Sequence, residues 1–207
     1  MSAAPITAFS QLDPNGRYTY ADHASWQFEE LVELLRDRVV CRINTPHEPH
    51  QRTLGELVCH FGQHLRRGHP YRLRVGPYDV RLPGPGGARP DAAIATIVQP
   101  DLCVIGDPAK IEPVGCLGAP DFIIEVTSPA IQARDWREKF DLYEENGVGE
   151  YWLVSPQAAS ISAFVLDAAT ARYRLAGEYT RPGSVPCATL PELGLDWADV
   201  FPDAEGE

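Results

Sequence analysis

The segment DFIIEVTSP, residues 121–129, places a carboxylate inside an apolar strand pattern. Because side chains alternate along a strand, Phe122, Ile124 and Val126 point to one face and the residues between them, including Glu125, to the other. Both faces are largely apolar, which indicates a strand that is covered on both sides. Burying an ionised carboxylate there is costly unless a cation or hydrogen-bond donors meet it. The pattern therefore predicts that other parts of the chain supply a partner for Glu125.

The length and composition are those of one globular domain. The 207 residues are 44% hydrophobic and 23% charged, which is enough apolar material for a sizeable core and not the composition of a disordered chain. We expect a single α/β domain over residues 1–207, with about 1–20 and 203–207 as loose ends.

The charge and the cysteines exclude some classes of protein. A net charge of -11 argues against a general nucleic-acid coat protein but not against a metal-dependent nuclease, in which clustered acids bind cations. The five cysteines are widely separated and contain no C-x-x-C, so buried reduced thiols are expected rather than disulfides or a zinc ribbon. Only two basic residues are lysines, Lys110 and Lys139, and this makes the position of each informative.

The N-terminal residues lack the basic start and apolar stretch of a signal peptide, and no apolar run approaches the roughly 18 to 20 residues that span a bilayer. We therefore expect a cytoplasmic protein with no membrane partner.

Periodicity predicts the secondary structure along the chain. Helical spacing of apolar residues occurs three times, over 22–36 with Asp22 as N-cap, 50–67 and 134–148. Strand patterns occur over 38–43, 71–82, 95–106, 121–127 and 150–154. A hairpin around 167–170, a last strand and a short helical turn are expected towards the C-terminus. Strand, helix and strand from 121 to 154 predict a parallel crossover.

Three polar residues form a candidate metal centre. Asp101 lies at the start of one predicted strand and Glu125 in the next, so both carboxylates lie at one edge of a sheet if these strands are neighbours. Lys139 borders the apolar stripe of the helix that follows Glu125 and can reach back towards it. Two convergent carboxylates and a backbone carbonyl suit Mg²⁺ or Mn²⁺, and a lysine beside the ion could position or deprotonate a water for attack on phosphorus.

Several motifs together resemble those of a known family. They are HEPHQ at 47–51, QPDLCVI at 99–105, GAPDFIIEVTSP at 118–129, REKFDLYEENGV at 137–148, EYWLVSP at 150–156 and ELGLDWADVF at 192–201. In this order they resemble the Uma branch of bacterial restriction-endonuclease-like proteins, within the PD-(D/E)XK nuclease superfamily, over roughly residues 25–202.

The resemblance implies a restriction-endonuclease-like αβββαβ core, with a mixed central sheet flanked by helices and an added C-terminal hairpin. It implies Asp101, Glu125 and the Val126 carbonyl as ligands of Mg²⁺ or Mn²⁺. The superfamily lysine usually lies two residues beyond the acid, where this chain has Thr127, so Lys139 on the following helix is the candidate catalytic lysine.

Two further residues are similar to family positions at the rim of the site. Glu33, on the first predicted helix, corresponds to an N-terminal acid, and His50 with Gln51 corresponds to a His-Gln pair.

Each candidate also has a structural interpretation. Glu125 could form a buried ion pair with Lys139 or an arginine without a metal, and Asp101 could simply begin a turn. Lys139 could cover neighbouring aromatic residues with its stem, Glu33 could be a solvated helix residue, and His50 could lie near a helix start.

Two functions follow from these candidates. The first is a divalent-metal-dependent endonuclease that hydrolyses DNA phosphodiester bonds, acting as a homodimer because related nucleases commonly pair. The second is a catalytically inactive nuclease fold that serves as a nucleic-acid-binding or oligomeric interaction module. The retained acid pair favours the first, whereas the displaced lysine and the net charge favour the second.

Overall fold

The computed structural model describes residues 5–41, 47–66, 68–87, 90–127, 133–202 and 204, without the side chains of 133–135. Parts of several expectations lie outside these residues, namely the end of the strand at 42–43, the helix end at 67, and both chain ends at 1–4 and 205–207. Within the described part of the chain, no helix is both long enough and apolar enough to cross a membrane.

The described residues form four α-helices, three short 3₁₀ helices and fourteen strands. The α-helices are α1 Tyr20–His23, α2 Glu48–His64, α3 Ala133–Asn146 and α4 Trp197–Val200. The 3₁₀ helices are Phe9–Gln11, Asp91–Ala93 and Pro108–Lys110. The strands are β1 Val32–Leu35, β2 Arg38–Cys41, β3 Arg72–Val75, β4 Val80–Arg81, β5 Ile97–Val98, β6 Leu102–Ile105, β7 Ile111–Glu112, β8 Gly115–Leu117, β9 Phe122–Val126, β10 Glu150–Ser155, β11 Ser160–Asp167, β12 Arg172–Tyr179, β13 Ser184–Val185 and β14 Leu195–Asp196.

The central sheet has the strand order β12-β11-β10-β9-β6-β3. Strands β9 and β10 are parallel, as expected for two strands joined by α3, and their other neighbours pair antiparallel. The chain order α2-β3-β6-β9-α3-β10 is the αβββαβ arrangement that the sequence implied. The β11–β12 hairpin extends this sheet, so the mixed α/β fold class and the added hairpin are both confirmed.

A second sheet has the order β2-β1-β5-β4-β8-β7. It contributes Leu35, Val80 and Val98 to one apolar cluster, which also contains Ile123 of the central sheet and Tyr143 of α3. The second sheet and α3 therefore pack on the same face of the central sheet.

The strand β9 is buried on both faces, as its sequence predicted. Phe122, Ile124 and Val126 lie in the cluster that contains Phe61 of α2, whereas Ile123 lies in the cluster with α3. All five residues of β9 are buried. This alternation directs Glu125 towards α3 and the second sheet.

The predicted helix at 22–36 is wrong. A four-residue helix, α1, ends at His23, and the strand β1 with its partner β2 follows. Thr19 is the N-cap of α1, and Asp22 closes the capping box from inside the helix. The apolar residues of β1 fit a helical stripe equally well, but pairing with β2 and β5 buries all four residues of the strand, which one helical face could not do.

Two predicted strands are each divided between the sheets. The segment 71–82 contains β3 in the central sheet and β4 in the second sheet, with a cis Gly76–Pro77 bond between them. The segment 95–106 likewise contains β5 and β6. Gly76 allows the close approach at this crossing, because a Cβ there would lie 2.8 Å from the Pro100 carbonyl oxygen.

Candidate active site

Glu125 lies on β9 at 8% exposure, with its side chain turned towards α3. Two donors from α3 meet the same carboxylate oxygen. Lys139 Nζ donates to Glu125 Oε1 at 3.0 Å, and Tyr143 OH donates to Oε1 at 2.6 Å. Lys139 and Tyr143 are four residues apart and so project from the same side of the helix. The partner that the strand pattern required is therefore supplied by α3.

Glu33 reaches the site from the second sheet. It alternates with Leu34 along β1 and is 3% exposed. Its Oε1 accepts from Lys139 Nζ at 2.9 Å and from the backbone N–H of Gln99 at 2.6 Å. The structure brings Glu33 together with Lys139, another predicted site residue, but the helix on which Glu33 was expected is a strand.

Asp101 precedes β6 and is 5% exposed. Strands β6 and β9 are antiparallel neighbours in which Leu102 lies opposite Ile124, so one further step along this register brings Asp101 across from Glu125. Asp101 Oδ2 accepts from the Val126 backbone N–H at 2.8 Å. The N–H and C=O of a strand residue project to the same side, so the Val126 carbonyl also lies on the side of Asp101.

His50 lies in the first turn of α2 and is 6% exposed. Its Nε2 is 3.3 Å from Asp101 Oδ2, so the Nε2–H tautomer donates to that carboxylate. Its Nδ1 is buried and has no hydrogen-bond partner among the described residues. Gln51, the other member of the expected His-Gln pair, is exposed instead.

The five predicted side chains thus form two connected groups. One group links Glu33, Lys139 and Glu125 with Tyr143, and the other links His50, Asp101 and the Val126 backbone. The sequence had offered a buried Glu125–Lys139 ion pair as the alternative to a metal site, and this ion pair is present.

Burial and negative charge at the site raise the pKa values of two tyrosines beside it. Burial raises the pKa of Tyr143 well above its ordinary value, and the negative charge of Glu125 raises it further. The same two causes raise the pKa of Tyr151, which is fully buried. Both phenols are therefore neutral at physiological pH, and Tyr143 acts towards Glu125 as a hydrogen-bond donor.

The donor set fits a hard divalent cation. Three buried carboxylates and a nearby backbone carbonyl are oxygen ligands of the kind that Mg²⁺ and Mn²⁺ take in proteins. Glu33, Asp101 and Glu125 carry three negative charges when ionised, and Lys139 supplies one positive charge to this set. The two negative charges that remain are what one divalent ion would neutralise.

Sequence reasoning missed two groups that hold the site together. Tyr143 was not among the predicted site residues, although its spacing of four residues from Lys139 was a signal that both meet Glu125. The backbone N–H of Gln99, just after β5, donates to Glu33, and a hydrogen bond from a backbone group leaves no signal in side-chain patterns.

His60 and His64 of α2 have the i, i+4 spacing that a metal pair can use, but each lies beside a different carboxylate. His60 Nε2 lies 3.9 Å from Asp199, and His64 Nε2 lies 3.4 Å from Glu192. Among the described residues, one group of three metal-ligand side chains is close together, formed by His64, His69 and Glu192. In that group, His69 Nδ1 accepts from the Tyr71 N–H at 3.2 Å, which favours the tautomer that carries its proton on Nε2, 3.6 Å from Glu192, over one that binds a metal.

Solved structures include one of similar fold. It is described as "Crystal structure of a putative nuclease belonging to DUF820 from Anabaena variabilis ATCC 29413", with a TM-score of 0.68 and 17% sequence identity. The similarity covers 89% of this chain and 98% of the other. A search of curated proteins found no match.

A family model matches residues 22–198 and therefore most of the chain. The matched region includes every residue of the candidate site. The chain belongs to the Uma2 family, whose description is "Putative restriction endonuclease".

Proposed function

We propose that this protein is a divalent-metal-dependent endonuclease that hydrolyses phosphodiester bonds in DNA. The observation that carries the proposal is the gathering of five polar side chains from five chain segments into two groups that reach neighbouring residues of β9, Glu125 and Val126. These side chains are Glu33, His50, Asp101, Glu125 and Lys139. Charged groups are seldom buried together without a functional reason, because buried ion pairs contribute little net stability.

Asp101, Glu125 and the Val126 carbonyl would hold the ion, which is Mg²⁺ or Mn²⁺. When bound, such an ion polarises a phosphoryl oxygen and lowers the pKa of a coordinated water. His50 orients Asp101 through the Nε2 hydrogen bond, and Tyr143 orients Glu125 through its hydroxyl.

Lys139 acts as a donor in this arrangement. Its ammonium group lies within hydrogen-bond distance of two carboxylates, those of Glu33 and Glu125. A charged amine positions a water and stabilises negative charge on the phosphorus centre, but it cannot accept a proton. The proton of the attacking water is then expected to leave through another group of the site or through solvent.

A cleavage assay with a matched variant tests the proposal. Supercoiled plasmid is incubated with Mg²⁺ or Mn²⁺ and with wild type, Glu125→Gln or Glu144→Gln. Glu144 is the control because it is buried to the same 8% exposure, on α3, but bonds to Arg172 and to the Tyr173 N–H away from the site.

The expected result is metal-dependent cleavage that falls at least about a hundredfold in Glu125→Gln and persists in Glu144→Gln. Equal loss in both variants would indicate a general effect of removing a buried carboxylate. Cleavage that survives Glu125→Gln would overturn the mechanism.

The inactive binding module remains the second candidate. It is favoured by the net charge of -11. It is also favoured by the ion pairs of Lys139 with Glu33 and Glu125, which give this lysine a structural role. DNA binding without cleavage at any metal concentration, unchanged in Glu125→Gln, would favour this alternative.

A further inference from the structure

The ammonium group of Lys139 lies between two carboxylates, in the position that a bridging metal ion would need. Its Nζ lies 2.9 Å from Glu33 Oε1 and 3.0 Å from Glu125 Oε1. All three side chains are largely buried. Counting side-chain atoms alone, the exposed fraction is 13% for Lys139, 4% for Glu33 and 10% for Glu125. A metal ion that bridged these two oxygens would need the same lone pairs, so the ammonium group and a metal exclude each other there.

Phosphoryl-transfer sites commonly place two metal ions about 3.5–4 Å apart, bridged or flanked by carboxylates. In this chain Glu125 accepts from Lys139, and the β6–β9 register places Asp101 across from Glu125 on the neighbouring strand. One cation position therefore lies towards Asp101 and the Val126 carbonyl. The other lies towards Glu33 and is taken by the lysine.

The charges of the site agree with one position for a metal ion and one for the Lys139 ammonium group. Ionised Glu33, Asp101 and Glu125 are balanced by one ammonium group and one divalent ion. A second divalent ion beside the lysine would leave two positive charges in excess in a buried site, which is costly.

We propose that Lys139 replaces the second metal ion, so that the site binds one divalent cation per chain. The inference rests on the proposed function in one respect, namely that Asp101 and Glu125 hold a metal. The inference goes beyond the proposed function by predicting the number of metal ions bound per chain. It also gives Lys139 and Glu33 a joint role as a built-in cation site.

Binding of Mn²⁺ tests the inference without any measurement of activity. Free Mn²⁺ is counted by its EPR signal after equilibrium dialysis, and affinity is measured by calorimetry. Wild type is expected to bind one ion and Lys139→Met to bind two. Two Mn²⁺ ions at about 3.5–4 Å would also give a spin-coupled EPR spectrum, which one ion cannot produce.

The chain offers a matched control, because Lys110 is its only other lysine. Lys110 Nζ donates to the Ala119 carbonyl oxygen at 2.7 Å, outside the carboxylate cluster. Lys110→Met is expected to bind one ion, as wild type does. The double variant Glu33→Gln/Lys139→Met is expected to return to one ion, since it removes the carboxylate that the second ion needs.

Loss of Lys139 leaves two buried carboxylates without their ammonium partner, so Lys139→Met is refolded in the presence of Mn²⁺. Lys139→Gln is a second variant whose amide donates hydrogen bonds without the charge, and two ions are expected there as well.

The outcomes separate the two proposals. Wild type that binds no Mn²⁺ would remove the basis of both. Wild type that binds two ions, or Lys139→Met and Lys139→Gln that bind only one, would overturn the cation replacement and leave the metal-dependent nuclease intact.

Discussion

Lys139 and Tyr143, one helical turn apart on α3, donate to the same oxygen of Glu125 at 3.0 and 2.6 Å. One donor carries a charge and the other is a neutral phenol, so the two have different roles. The ammonium group balances the carboxylate, whereas the hydroxyl fixes the direction in which the carboxylate points. The K-x-x-x-Y spacing on this helix thus determines the geometry of an acid that lies on a neighbouring strand.

Tyr143→Phe is expected to weaken Mn²⁺ binding by about tenfold and to lower the free energy of unfolding by about 1.5–3 kcal/mol, because a hydrogen bond to a buried charge is lost. Calorimetry and urea denaturation measure the two effects. Tyr173→Phe is the control, since its hydroxyl donates to the Val148 carbonyl, a neutral acceptor in the same aromatic region. Equal Mn²⁺ affinity in Tyr143→Phe and wild type would show that Tyr143 does not position Glu125.

Glu33→Ala is expected to lower the free energy of unfolding by about 3 kcal/mol in urea denaturation. The substitution leaves the buried N–H of Gln99 without its acceptor and removes one of the two carboxylates around Lys139. Glu29→Ala is the control, because Glu29 is exposed just before β1 and its loss should change stability by less than about 0.5 kcal/mol. Similar values for the two variants would contradict a role for Glu33 in joining β1 to α3 and to the segment that follows β5.

Glu150 has a structural role that its place in the EYW motif did not reveal. This carboxylate on β10 is 1% exposed and accepts from Trp152 Nε1 at 2.8 Å and from the backbone N–H groups of Ala188 at 3.0 Å and Thr189 at 2.6 Å. It therefore attaches the C-terminal segment to the central sheet.

We expect Glu150→Gln to lower the free energy of unfolding by about 2 kcal/mol and the melting temperature by about 4–8 °C, because an amide NH₂ would face these donors. Calorimetric melting checks this, with exposed Glu178→Gln as control. Mn²⁺ binding should be the same as in wild type below the melting temperature. A loss of Mn²⁺ binding by folded Glu150→Gln would instead connect Glu150 to the site.

The thiols predict a decline of stability at alkaline pH. Burial raises the pKa of Cys116 to about 11 and the pKa values of Cys103 and Cys187 further. A thiol whose pKa is raised by folding stabilises the protein below the pKa of the unfolded state, and this contribution is lost as pH rises. For Cys116 the loss falls between pH 9 and about 11.

Melting temperatures measured from pH 7 to 11 should therefore fall above about pH 9, and less steeply in Cys116→Ala. In native protein at pH 8, a thiol reagent should modify exposed Cys59 first, while Cys103, Cys116 and Cys187 react only after unfolding. Rapid modification of all five cysteines in folded protein would contradict the burial on which both expectations depend.

Local patterns were sufficient for the elements that carry the acid pair. The two-sided apolar strand around Glu125, the helix after it and the strand at 150–154 were all predicted, because alternation and helical periodicity are recorded in consecutive residues. The sequence left open whether the strands that carry Asp101 and Glu125 are neighbours, and in the structure β6 and β9 are.

Local patterns predicted the wrong secondary structure where pairing with strands distant in the sequence determined it. The segment around Glu33 has apolar residues that suit either a helix or a strand, and only pairing with β2 and β5 makes it a strand. The patterns of 71–82 and 95–106 each predict one strand, yet each segment forms two strands that lie in different sheets.

The sequence by itself determined the candidate site residues, the central αβββαβ order and the need for a partner at Glu125. Only the tertiary structure decided what that partner is. Tyr143 and Lys139 meet Glu125, and Glu33 joins them from another sheet, because α3 and the second sheet pack on the same face of the central sheet. Periodicity describes which way a side chain points from its own element, whereas the contacts that it makes depend on how the elements pack.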